Sequence, residues 1–222
     1  DVVLHLSDEM KSKLKTKHII ALMLILFVGY VLTNMFRTKS LTEKEKAIIP
    51  YEKNDELIFE SNKSDIDTIK ITDLTLVKRP PNLGDMFWAK NTELLRVHTN
   101  NSDCKSCDEL IYLDTENFFL NTNIRWNIRI NGKNYVLGTN LEEINELNTT
   151  KLNVNGIEYD DVVVLEKSKR FERPKDKFSK MFYNGVYPID KLYWSKSNGI
   201  VQFEIMETNE IWKLKNAVQQ RV

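Results

Sequence analysis

The sequence predicts a mainly β protein. Its expected form is an antiparallel meander, a sandwich or half-barrel with one short helix, preceded by one N-terminal transmembrane helix. Three observations carry this. Stretches rich in β-branched residues alternate apolar and polar positions from Leu57 onward. Asn-Gly recurs at Asn131-Gly132, Asn155-Gly156, Asn184-Gly185 and Asn198-Gly199, so most of the chain's 7 glycines follow an Asn. One long uncharged apolar run, Ile19 to Phe36, stands apart from everything else.

The apolar run comes first. As a helix rising about 1.5 Å per residue it is roughly 27 Å long, enough to cross a bilayer core. It has no polar face from Ile19 to Val31, which argues against a helix buried in a soluble core. Lys11, Lys13, Lys15 and Lys17 precede it, while Arg37 and Lys39 follow. Met10 followed by Lys-Ser-Lys resembles the charged start of a bacterial export signal, with residues 1–9 lying upstream of it. No small-residue cleavage pattern follows, since Leu32, Met35 and Phe36 sit where small residues are needed. The expectation is an uncleaved signal anchor at residues 19–36, with a cytoplasmic tail over 1–18. A tether over 37–53 would lead to an exported β-rich domain over 54–222. The location implied is a bacterial inner membrane, with the C-terminal domain periplasmic.

Strands are expected where β-branched residues alternate. Asp67 to Val77 is one such run, ended by Pro80-Pro81, which cannot donate to a ladder. Leu94 to His98 resumes the pattern. Ile124, Trp126, Ile128 and Ile130 alternate with Arg125, Asn127 and Arg129, the signature of a strand with one buried face. Asn and Gly both tolerate positive φ, which a two-residue type I′ hairpin turn requires. Three hairpins follow, around Asn131-Gly132, Asn155-Gly156 and Asn198-Gly199, with a further strand at Ile211 to Lys215. Leu141 to Leu147 is the one short helix expected. Residues 166–181 are charged and aperiodic, and Pro174 argues against a continuous helix there.

Lys+Arg and Asp+Glu each total 32, for a formal net charge of +0. Nucleic-acid binding needs a basic face, and this balance argues against it. Residues 54–222 are enough to bury a core of ordinary size.

Cys104-Lys-Ser-Cys107 is the motif with potential chemistry. In an oxidising compartment the simplest reading is a disulfide within one loop. The alternative is a thiol-disulfide site, which needs the first cysteine at a helix N-terminus. A metal reading would use His98, Cys104 and Cys107 with Asp103 or Asp108, but a second paired ligand module is missing. Asp65 with Asp67, and Asp160 with Asp161, are the paired carboxylates. Neighbours in a strand point to opposite faces, which spoils the second pair as a dyad. His98 is the only histidine beyond residue 18, so no Ser/His/Asp set can form. No glycine-rich phosphate loop occurs, and no cofactor is implied. Trp88, Trp126, Trp194, Phe203 and Trp212, with Tyr193, would line an apolar ligand cavity or fill the core.

Phe59-Glu-Ser-Asn, Tyr159 to Leu165 and Leu192 to Glu204, ending in Trp212-Lys-Leu, resemble a group of uncharacterised β-rich envelope proteins of Bacteroidota, across about residues 57–215. Many of that group are lipoproteins, but this chain has no cysteine near the apolar run to be acylated. The resemblance implies an envelope location and a β-rich fold, and carries over no functional residue. The role expected is a non-enzymatic envelope module that binds or assembles with a membrane protein, a lipid or the cell wall. The alternatives are a thiol-disulfide protein and a carrier of a small ligand or lipid.

Overall fold

A computed structural model describes residues 18–30, 32–33, 38–79, 91–100, 109–115, 122–167 and 186–216. The fold is mainly β, as the alternation and turns predict. Thirteen strands form one continuous, mostly antiparallel sheet that folds over on itself.

Residues 18–30 form a helix, α1, and residues 32–33 are helical as well. Its apolar side chains are exposed on every face, from Ile19 at 59% to Leu32 at 50%. Among the described residues no helix is long and apolar enough to cross a membrane. The short strand β1 (Thr38–Lys39) and helix α2 (Glu43–Lys46) follow. Thr42 caps α2 in a reciprocal box: its hydroxyl accepts from Glu45 N–H (3.2 Å), and Glu45 Oε2 accepts from Thr42 N–H (2.7 Å).

The sheet then runs through β2 (Glu56–Ser61), β3 (Ile66–Arg79), β4 (Asn91–Thr99), β5 (Glu109–Thr115), β6 (Thr122–Ile130) and β7 (Lys133–Asn140). The expected short helix is α3 (Leu141–Glu146), which buries Leu141 and Ile144. Next come β8 (Thr150–Val154), β9 (Ile157–Glu166), β10 (Val186–Pro188), β11 (Lys191–Ser195), β12 (Gly199–Ile205) and β13 (Glu210–Leu214).

Two strands make the corners. The first half of β3 pairs with β2 from Ile66 to Lys70, and the second half pairs with β4 up to Arg79. The register shifts between Ile71 and Asp73, where the strand changes layer. At the other side β10 runs parallel to β7, and after Ile189 and Asp190 the chain enters β11 between β9 and β12. One layer is therefore β10-β7-β6-β5-β4 with the end of β3. The other is the start of β3 with β2-β13-β12-β11-β9-β8.

The core lies between the layers. Alternation in β6 turns Ile124, Trp126, Ile128 and Ile130 inward, all at 0% exposure. Trp126 from one layer meets Trp194 from the other edge to face, with ring centres 5.6 Å apart. Tyr135 meets Phe203 at 6.1 Å across the same gap.

Two turns behave as their residues dictate. Asn131 and Gly132 have φ of 49° and 71°, and Asn155 and Gly156 have 51° and 87°. Positive φ at both positions is the type I′ requirement. The third Asn-Gly differs: only Gly199 has positive φ (80°), at the end of the loop 196–198. Asn184-Gly185 lies outside the described residues.

The stretch expected to be a tether is built into the domain instead. Leu41, Ile49 and Tyr51 are buried in the main core. Leu41 N–H donates to the buried Glu93 Oε2 (3.0 Å), and Thr122 Oγ1 donates to Glu45 Oε1. The folded unit therefore begins before residue 54, and the strap 41–53 closes one end of it.

Candidate functional site

The expected sites fall in different places. Cys104, Cys107 and Trp88 lie outside the described residues. The cysteine pair belongs to the connection between β4 and β5, whose flanking strand ends, Thr99 and Glu109, are described. Strand β5 starts two residues after Cys107. His98 Nε2 lies 2.7 Å from Thr75 Oγ1 in a hydrogen bond. No group of three metal-ligating side chains gathers among the described residues.

The described aromatics are core. Trp126, Trp194, Phe203 and Trp212 are at 0–1% exposure. Phe203 stacks on Trp212 (6.3 Å) and meets Phe59 edge-on (5.7 Å). Tyr51 meets Trp194 edge-on at 6.0 Å. The indole N–H groups of Trp126 and Trp194 are buried with no hydrogen-bond partner among the described residues. Tyr193 is only half-buried. Its hydroxyl donates to Glu204 Oε1 (2.7 Å), and burial first, then Glu204, pushes it up to about 12.

One carboxylate of each pair holds a turn. Asp67 Oδ2 accepts from Asn131 N–H (2.7 Å), tying β3 to the β6–β7 turn. Asp161 accepts from Ser195 Oγ (2.6 Å) and Ser197 N–H (2.7 Å), pinning the β11–β12 loop. Those bonds outweigh burial and hold the Asp161 carboxyl below its ordinary range. Asp160, its neighbour, is exposed on the other face.

The densest polar constellation is one the sequence reading missed. Glu210 opens β13 and is buried. Its Oε2 accepts from Tyr135 Oη (3.2 Å) and Trp212 Nε1 (3.3 Å). Its Oε1 faces Lys63 Nζ (3.4 Å) and Lys133 Nζ (3.6 Å). Lys63 Nζ also donates to Thr208 O (2.9 Å). Beside them Asn62 makes a two-way bridge, donating from Nδ2 to Asn209 O and accepting at Oδ1 from Ile211 N–H.

Three hairpin turns therefore meet on one carboxylate at one end of the sandwich: β2–β3, β6–β7 and β12–β13. Burial pushes Glu210 up, but Trp212, the two lysines and Tyr135 outweigh it and hold the carboxyl below its ordinary range. Tyr135 is pushed well up, by burial and then by Glu210. A carboxylate held ionised with its oxygens occupied is a clasp, and neither group is poised to exchange protons near neutral pH. The only hint in the sequence was Glu210 placed two residues before Trp212, on a strand otherwise apolar on that face.

Comparison of the chain with protein-family models, with curated proteins and with solved structures finds no match.

Proposed function

We propose that the chain is a non-enzymatic binding or assembly module of a bacterial cell envelope. It is anchored in the inner membrane through Ile19 to Phe36, with the N-terminal tail cytoplasmic and the β domain periplasmic. The observation that carries this reading is α1 itself: a helix whose large apolar side chains are about half exposed or more on every face. Such a surface is stable only when buried, in a large core or in lipid. The chain as a whole has no net charge, and the domain behind α1 offers an aromatic core and carboxylates that hold turns, all of which suit a scaffold better than a catalytic centre. Its partner is an envelope protein or a lipid.

The test uses the full chain with a reporter enzyme, active only outside the cytoplasm, fused after Val222. The expected result is an active reporter in a membrane fraction that resists alkaline carbonate. A silent reporter, or release by carbonate, would overturn the reading.

A further inference from the structure

We propose that two copies of this chain pair through the outer edge of β3, residues Thr72 to Arg79. Among the described residues, this strand carries a long hydrogen-bonding edge with no strand paired on it. Its β2 partner ends at Lys70, and Ile71 is closed by Asp55 O and Asn54 N–H (2.8 Å each). From Thr72 to Arg79, β4 occupies one side, and no strand pairs on the other among the described residues.

The last four residues, Leu76, Val77, Lys78 and Arg79, are exposed on both faces. Leu76 is 48% and Val77 40% exposed, and outside α1 few large apolar side chains are as open. An unpaired edge of this length that carries Leu74, Leu76 and Val77 is a template for another strand. The sheet's two terminal strands are shorter: β10 has 3 residues, and β8 has 5 and carries Lys151 in an ion pair with Glu158.

The occupant follows from symmetry and charge. Two copies pairing edge to edge as antiparallel strands are related by a two-fold axis normal to the sheet. Such an axis keeps each side chain on its own face, so only residues of equal parity can stand opposite each other. With the axis at Leu76, Leu76 faces its own copy, Thr75 faces Val77, and Asp73 faces Arg79. Both copies gain the opposite-charge pair and the apolar centre at once. Closed two-fold pairing also covers the β3 edge of each copy. Arg79 lies beside its own Asp114 (3.5 Å), on the face where Asp73 of the second copy would arrive.

The test uses the purified full chain with Cys104→Ser and Cys107→Ser to remove background thiols. Leu76→Cys is expected to form a disulfide-linked dimer under mild oxidation, because opposite residues bring their Cβ atoms within reach. Ile66→Cys, equally exposed at the other end of β3 but paired there with β2, is expected to stay monomeric. In sedimentation, Asp73→Arg sets two arginines against each other twice and shifts the chain toward monomer, and Leu76→Lys does the same. Circular dichroism checks that each variant is folded, and the cross-link does not depend on the charge variants. A monomeric parent chain, equal cross-linking at Ile66, or a dimer indifferent to Asp73→Arg and Leu76→Lys would overturn the proposal. The last outcome would place association elsewhere, for example on α1.

Discussion

Gly199 and Gly156 share a residue type and a positive φ but differ in what surrounds them. A Cβ on Gly156 meets nothing within 4 Å, so Gly156→Ala should cost only the left-handed backbone term, about 1–2 kcal/mol. A Cβ on Gly199 would stand 2.1 Å from the Tyr51 hydroxyl oxygen and 2.4 Å from Cζ, both held in the core. Gly199→Ala should therefore cost clearly more, about 3 kcal/mol or above, by adding overpacking to strain. Tyr51→Phe should cost about 1–3 kcal/mol, because it orphans the buried Ile200 N–H that donates to Tyr51 Oη (2.7 Å). Urea denaturation of the three variants orders them, and equal losses for the two glycines would contradict the packing. Glu210 gives the residue-scale pH effect. Its carboxyl titrates lower in the fold than in the unfolded chain, so its contribution is complete above the ordinary carboxylate range. That contribution is lost as pH falls through the folded pKa. Melting temperatures across acid pH should fall more steeply for the wild type than for Glu210→Gln. None of this was legible in the sequence. Asn198-Gly199 looked like its fellows, because the reason for its glycine is a tyrosine almost 150 positions away. Likewise Lys63, Lys133, Tyr135 and Glu210 come together only once three turns share one end.

Element by element, the sequence was most readable where local chemistry alone decides. Asn131-Gly132 and Asn155-Gly156 name their turn because only residues tolerant of positive φ fit it, and β6 shows itself through strict alternation. The strap 41–53 was read as a tether because Glu43 to Lys46 are charged and Pro50 interrupts it. Its buried residues, Leu41, Ile49 and Tyr51, follow no period, so only the pocket they fill explains them. A chain starting at Thr38 should fold cooperatively, while one starting at Asn54 should lose much of its stability, having given up three core side chains worth about 2–5 kcal/mol each. Thermal melts of the two, followed by circular dichroism, decide this. The β4–β5 hairpin sets the expectation for the cysteines. Leu94 to His98 already pair with Glu109 to Asp114, so the loop between them is closed by the sheet. A Cys104–Cys107 bridge adds a very small ring, worth on the order of 1–2 kcal/mol at most. Replacing both by Ser should lower the melting temperature modestly and leave the β spectrum intact. A chelator that destabilised the wild type and spared the double mutant would favour metal instead.

At the scale of the whole molecule, the strap fixes which end of the sandwich stands nearest α1. From Thr33 to the backbone pairing of Thr38 with Asn91 is five residues, a reach of about 18 Å at most. Glu93 and Thr122, the partners of Leu41 and Glu45, stand near the start of β4 and at the start of β6. The end of the domain bearing these strand starts is thus tied close to the helix. The end with Asn131-Gly132 and the Glu210 clasp lies a full strand away, about 30 Å for the 9 residues of β6. If α1 lies in lipid, a short pinned link leaves the domain little freedom to turn over. A fluorophore on Glu43→Cys, in the full chain lacking Cys104 and Cys107 and reconstituted in vesicles, should be quenched by lipids labelled at the headgroup. The same fluorophore on Asn209→Cys, within the distal clasp, should be quenched far less. Equal quenching at the two sites would mean that the domain tumbles freely and the strap does not orient it. Stronger quenching at Asn209 would mean that the distal end meets the bilayer.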